Sequence, residues 1–196
     1  MITGIRRCGK SYLLNTLFYN HLMDCEIPED HVILFAFDSA DDLIKIGEDP
    51  LLLENANSER KIDPKKFLQY LNQQIIDKEM YYLLLDEVQN LEAFESVLNG
   101  FLRKKNMDVY VTGSNSKFLS KDILTGFEGR GDEIRGDEIH MLPLSFSKYF
   151  SVHDGSKEEA FDDYSVYEGL TAVALMGTEE QKAAYLTTQM QNSALR

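Results

Sequence analysis

The sequence predicts an α/β protein in which strands and helices alternate around a phosphate-binding loop. Three observations point there. Gly4-Ile5-Arg6-Arg7-Cys8-Gly9-Lys10-Ser11 fits the pattern G-x-x-x-x-G-K-[ST] at every fixed position. Two continuous apolar runs, over residues 32–37 and 81–85, suit strands covered on both faces, as in a parallel sheet. Between the runs, apolar residues recur at the spacing of a helix face.

The loop asks for these residue types. Gly4 and Gly9 let the backbone curl and aim several N–H groups at one point, which a Cβ would obstruct. The helix that follows adds its unpaired N-terminal N–H groups and the positive end of its dipole. Lys10 is placed to reach the β- and γ-phosphates of a nucleoside triphosphate, and the Ser11 hydroxyl to ligate Mg²⁺. The competing reading is a glycine turn with an incidental lysine. Cys8 is a small filler residue or a redox-sensitive thiol inside the loop. Only Met1, Ile2 and Thr3 precede Gly4. Buried strands run to about five residues, so the first strand is expected to be truncated and weakly held in the sheet.

The rest of the chain is taken in order. Leu13, Leu14, Leu17, Phe18 and Leu22 form one face of a helix from Ser11 to Asp24, which Pro28-Glu29-Asp30 ends. Residues 32–38 make a buried strand, and residues 41–57 weak helix and loop. Asp63-Pro64 starts a helix, with a side-chain cap followed by proline at the first position. Tyr81-Tyr82-Leu83-Leu84-Leu85-Asp86-Glu87 describes a buried strand ending in two carboxylates. Asp86 would hold Mg²⁺ through water, and Glu87 would polarise the attacking water as general base. The competing reading is a strand that ends in two solvated acids. Phe94, Val97, Leu98, Phe101 and Leu102 mark another helix. A strand at 109–112 then leads into Gly113-Ser114-Asn115-Ser116, where Ser114 and Asn115 either sense the γ-phosphate or cap a following helix. Arg130-Gly131-Asp132-Glu133-Ile134 is repeated at once as Arg135-Gly136-Asp137-Glu138-Ile139, a local duplication too short for a solenoid repeat. A last strand is expected at 139–142 and a short helix from Pro143. Further on, Tyr164, Tyr167, Leu170 and Val173 suit one helix, and Thr178-Glu179-Glu180-Gln181 is the capping-box start of another.

Composition narrows the function. The 196 residues suit one domain with an appendage, and the hydrophobic share of 43% supplies a core. No apolar run approaches the roughly 18 residues of a membrane span, and no basic-then-apolar leader opens the chain. Two cysteines, Cys8 and Cys25, make no disulfide framework, so a cytoplasmic setting is expected. The net charge of −13 argues against nucleic acid as a partner. Arg6, Arg7 and Lys10 nevertheless gather basic charge where a triphosphate would sit.

Five motifs stand in a recognisable order. They are the loop, Leu85-Asp86-Glu87-Val88-Gln89, Val111-Thr112-Gly113-Ser114-Asn115-Ser116, Gly129-Arg130-Gly131-Asp132-Glu133-Ile134, and Pro143-Leu144-Ser145-Phe146. The chain resembles the prokaryotic AAA-like ATPases that carry a C-terminal domain of unknown function, over roughly residues 1–150. The resemblance implies a three-layer α/β/α P-loop core with a mostly parallel five-stranded sheet. Residues 151–196 would be a helical remnant of a C-terminal region. It implies ATP and Mg²⁺ as cofactors. Nucleotide contacts fall at Gly4, Ile5, Arg6, Arg7, Cys8, Gly9, Lys10, Ser11 and the adjoining Tyr12, and metal coordination at Ser11 and Asp86. It implies a catalytic acid at Glu87, a sensor at Ser114 and Asn115, and an arginine that completes a site, Arg130 or its duplicate Arg135. The chain departs from the family in its short first strand. The winged-helix and C-terminal domains of that family are expected to be missing from this sequence, and Glu168-Gly169-Leu170-Thr171 stands where a Gly-Gly-Leu-Pro-like signature is expected. The expected activity is Mg-dependent ATP hydrolysis. Its alternatives are a nucleotide-gated binding module and a fragment without turnover, and the tail helices would need a missing domain or an unknown protein partner to cover them.

Overall fold

The computed structural model describes residues 1–52, 61–113, 137–167, 169–174, 176 and 178–194. The chain forms two compact units, one of residues 1–4 and 10–140, the other of residues 5–9 and 141–196.

The first unit is a mostly parallel sheet with helices on both faces, a three-layer α/β/α fold. Its strands are β1 (Ile2–Gly4), β2 (Val32–Ala36), β3 (Tyr81–Asp86), β4 (Met107–Val111) and β5 (Ile139–Met141). β2, β3 and β4 lie side by side and parallel, with Phe35 opposite Leu85 and Leu85 opposite Val111. β1 pairs with β5 and reaches the end of β4 through a parallel bridge between Ile2 and Thr112. The short first strand is thus seated by a neighbour on each side, and Ile2, Thr3 and Gly4 are all buried.

Helix α1 starts at Lys10, one residue ahead of the expected Ser11. It runs as α-helix Lys10–Tyr12, π-helix Leu13–Phe18 and α-helix Tyr19–Asp24. The Phe18 ring meets Tyr110 of β4 at 4.3 Å, and Leu14 is completely buried. A short helix, α2 (Ala40–Lys45), is capped by the Ser39 side chain. On the other face lie α3 (Pro64–Gln74) and α4 (Phe94–Phe101). Asp63 caps α3 by accepting from the Lys65 N–H, with Pro64 at the first position, as the sequence predicts. Phe67, Leu71, Leu98 and Phe101 from these helices pack with Phe35, Leu83, Leu85 and Val111 in one apolar cluster. Alternation along β3 divides the work. Tyr81, Leu83 and Leu85 face this cluster, so Leu84 and Asp86 point to the opposite face.

In the second unit α5 (Phe146–Phe150) is capped by Ser145, and α6 (Lys157–Tyr167), α7 (Thr171–Ala174) and α8 (Glu179–Ala194) follow. The single helix expected through Tyr164 and Val173 is therefore two. Gly169 breaks it with φ 64°, and an added Cβ there would come within 2.3 Å of the Leu144 carbonyl oxygen. The Gly169 carbonyl accepts from the Leu144 N–H at 2.9 Å, so the backbones approach too closely for any side chain. Thr178 caps α8 through the Gln181 N–H at 3.3 Å, as expected.

Candidate functional site

The site in the first unit is built where β1, β3, β4 and α1 converge. Gly4 ends β1 at φ 142°, a conformation open to glycine. Lys10 begins α1, is 5% exposed, and its ammonium donates to the Gly4 carbonyl at 3.1 Å. Ser11 and Tyr12 are exposed on the first turn, Tyr12 to 60%. One turn further along α1, the Asn15 amide donates to the Asp86 carboxylate at 3.3 Å. Residues four apart share a helix face, so Asp86 lies along the side of α1 that carries Ser11.

Asp86 closes β3 and is 4% exposed. Its other carboxylate oxygen accepts from the Thr112 hydroxyl. Thr112 is fully buried, and its hydroxyl oxygen also accepts the Glu87 N–H at 3.1 Å. The same residue gives its N–H to the Leu85 carbonyl and its carbonyl to the Val88 N–H. Thr112 thus pins the Asp86-Glu87 pair from both sides.

Glu87 does not continue the strand, as the sequence had suggested. It stands at φ 52°, ψ 44°, the left-handed region, and a 3₁₀ turn over Val88–Asn90 follows. Such a conformation in a non-glycine residue costs of order 1–3 kcal/mol and turns the chain sharply off the sheet edge. The Gln89 side-chain amide donates to the Glu87 carboxylate.

The middle of the loop, Ile5–Gly9, groups with the second unit. Arg7 at φ 67° and Gly9 at φ 97° give the curl that a nest of amides requires. Ile5 and Arg6 are exposed, and Cys8 is a buried free thiol. The Arg7 guanidinium lies 5.6 Å over the Tyr185 ring of α8.

Of the expected residues, Lys10, Ser11, Asp86 and Glu87 all belong to the first unit, where Asn15 links α1 to Asp86. Ser114, Asn115, Arg130 and Arg135 lie outside the described residues. Three side chains that touch the acid pair carry no role in the sequence reading: Asn15, Thr112 and Gln89. Asn15 had a signal, a polar residue amid the apolar stripe of α1. Thr112 had a weaker one, a hydroxyl at the end of a strand that must be satisfied when buried. Gln89 was visible within its motif but carried no assigned role.

A nucleotide with Mg²⁺ suits this donor set. The loop supplies glycines where φ is positive, an ammonium and a hydroxyl. Among the described residues no group of three or more His, Cys, Asp or Glu side chains could hold a metal alone. Mg²⁺ commonly takes one or two protein groups and fills its shell with phosphate oxygens and water, so Ser11 and Asp86 are a sufficient protein share.

The fold is that of an ATPase-like nucleotide-binding domain. The chain belongs to the AAA domain family, whose model matches residues 1–150. It is 27% identical over 194 residues to an uncharacterized protein of Haemophilus influenzae, covering 95% of this chain and 42% of the relative. It is 26% identical over 156 residues to an uncharacterized protein of Methanocaldococcus jannaschii, covering 76% of this chain and 27% of that relative. The chain therefore spans less than half the length of these curated relatives. Among the described residues, no helix is long and apolar enough to cross a membrane.

Proposed function

We propose that the chain binds ATP with Mg²⁺ and hydrolyses it to ADP and phosphate. The observation that carries this reading is the hydrogen bond from Asn15 to Asp86, which sets the acid pair against the helix that opens with Lys10 and Ser11. Bound Mg²⁺ would neutralise phosphate charge, with the Ser11 hydroxyl and the Asp86 carboxylate, through water, as its protein ligands.

The remaining steps belong to the chain. Lys10 places its ammonium on the β- and γ-phosphate oxygens, exchanging the Gly4 carbonyl for a charged acceptor. The loop amides from Gly4 to Ser11 complete the cradle and oppose the charge that spreads over the γ-phosphoryl oxygens in the transition state. Glu87 accepts a hydrogen bond from the attacking water and takes its proton as the new P–O bond forms, while the bond from the γ-phosphorus to the β-phosphate oxygen breaks and ADP leaves with that oxygen. Thr112 holds the Asp86 carboxylate and the Glu87 backbone, so Asp86 need not be ordered when substrate arrives. Ser114, Asn115 and Arg130 are retained as the γ-phosphate sensor and the completing arginine, and Tyr12 as a nucleotide neighbour. A cytoplasmic setting and a further domain or protein partner over the second unit's helices belong to the same proposal.

The test is calorimetry and phosphate release on matched variants. Lys10→Ala is expected to abolish nucleotide binding. Glu87→Gln is expected to bind ATP like the parent and to lose turnover. Parent-rate phosphate release from Glu87→Gln would remove Glu87 from the role of base.

A further inference from the structure

We propose that Gln89 is a positioning residue: its side-chain amide holds the Glu87 carboxylate in the orientation needed to activate water. This rests on the reading of Glu87 as the base. Glu87 needs such help because of where it stands. It has left the strand, its backbone is left-handed, and its side chain is only half-buried. The strand pleat no longer aims its carboxylate.

Gln89 can supply the direction because its own backbone is fixed. The Val88 N–H is held by the Thr112 carbonyl at 3.1 Å, and the Asn90 N–H by the Glu87 carbonyl at 3.0 Å. The Asn90 amide reaches the Phe37 carbonyl at 3.3 Å, and the Lys61 ammonium reaches the Gln89 carbonyl at 2.9 Å. Gln89 itself is 9% exposed, so its side chain has little freedom.

The orientation of the amide follows from chemistry. An ionised carboxylate only accepts, so Nε2 must face Glu87 and Oε1 must face away. Oε1 is buried with no hydrogen-bond partner among the described residues. A buried carbonyl without a donor is costly, and an apolar side chain of the same length would avoid the cost. Glutamine at this position is therefore explained by what Nε2 does for Glu87, not by what the amide does for the fold.

That asymmetry defines the experiment. Gln89→Met keeps length and removes both polar atoms. Its expected thermal midpoint equals or exceeds the parent's, its ATP affinity is unchanged, and its kcat falls by roughly tenfold or more, the usual scale for a misaimed catalytic group. A structural role predicts the reverse, lost stability with kcat preserved in the folded fraction, and either result overturns the proposal. A second measurement needs no turnover. In the ligand-free protein, the Gln89 carboxamide protons, assigned by their loss in Gln89→Met, are expected to exchange slowly and to shift on Glu87→Ala. Carboxamide signals indifferent to Glu87→Ala would sink the contact itself. Absence of turnover in the parent, with slow carboxamide exchange intact, would instead locate the failure in the assignment of Glu87 as base.

Discussion

Replacing Thr112 by valine tests the linchpin of the site. The two side chains have nearly the same shape, so the change removes a hydroxyl and opens no cavity. Two hydrogen bonds go with it. One is donated to the Asp86 carboxylate, and one is accepted from the Glu87 N–H at 3.1 Å. A hydrogen bond to a charged group contributes about 1.5–3 kcal/mol, and a neutral one about 1 kcal/mol. The Glu87 N–H is partly accessible and can turn to water, while Asp86, at 4% exposure, has less recourse. Allowing for the favourable burial of the added methyl, Thr112→Val should destabilise the first unit by about 2–3 kcal/mol. For a chain of 196 residues that lowers the thermal midpoint by roughly 4–12 °C. Far-UV circular dichroism during heating reads the shift. Thr112→Ser is the control: it keeps the hydroxyl, loses one methyl and should cost about 1 kcal/mol. If Thr112→Val melts with the parent while Thr112→Ser falls, the methyl and not the hydroxyl matters, and the account of the pinned acid pair is wrong.

The other predictions concern neighbouring contacts and pH. Asn15→Leu removes the amide that aims Asp86, so Mg-dependent ATP affinity should weaken by about 1–2 kcal/mol while affinity without Mg²⁺ stays at the parent value; calorimetry in the two buffers checks both. His31 lies between Asp30 at 3.0 Å and Asp77 at 3.3 Å. Burial disfavours its charged form, but the two carboxylates outweigh that and raise it above its ordinary 6.5. A raised pKa gives stability that is full below 6.5 and is lost as pH rises through the folded value. His31→Gln should therefore cost more at pH 5.5 than at pH 8.5, in paired urea titrations; an equal cost at both would remove the charged pairs from the argument.

Much of this architecture was legible in the residues, for reasons that can be named. The Asp63-Pro64 start and the Thr178 cap depend on local geometry alone, and each is found where it was expected. The buried strands were visible because burial on both faces forces a continuous apolar run, as in Tyr81–Asp86. What stayed hidden depends on contacts between distant segments. Nothing local to Thr112 says that its hydroxyl meets Asp86 across neighbouring strands. Nothing local to Gln89 says that its amide turns back on Glu87. The turn of Glu87 into left-handed backbone likewise defeats the alternation rule, which would have carried the strand one residue further. Gly169 was misread for a different reason. A glycine within an apolar stripe is tolerable in a helix, and only the approach of the Leu144 backbone makes it a break.

If the start of α1 and the end of β3 share one metal-bearing triphosphate, ATP and Mg²⁺ must bind cooperatively. The most direct measurement is the thermodynamic coupling between ATP and Mg²⁺, taken from ATP titrations with and without the metal, in the parent, Ser11→Ala and Asp86→Ala. Strong positive coupling is expected in the parent and loss of most of it in both variants, with metal-free ATP affinity nearly unchanged. Parent-like coupling in Asp86→Ala would contradict the sharing, because the metal would then sit on the nucleotide without regard to the acid at the tip of β3.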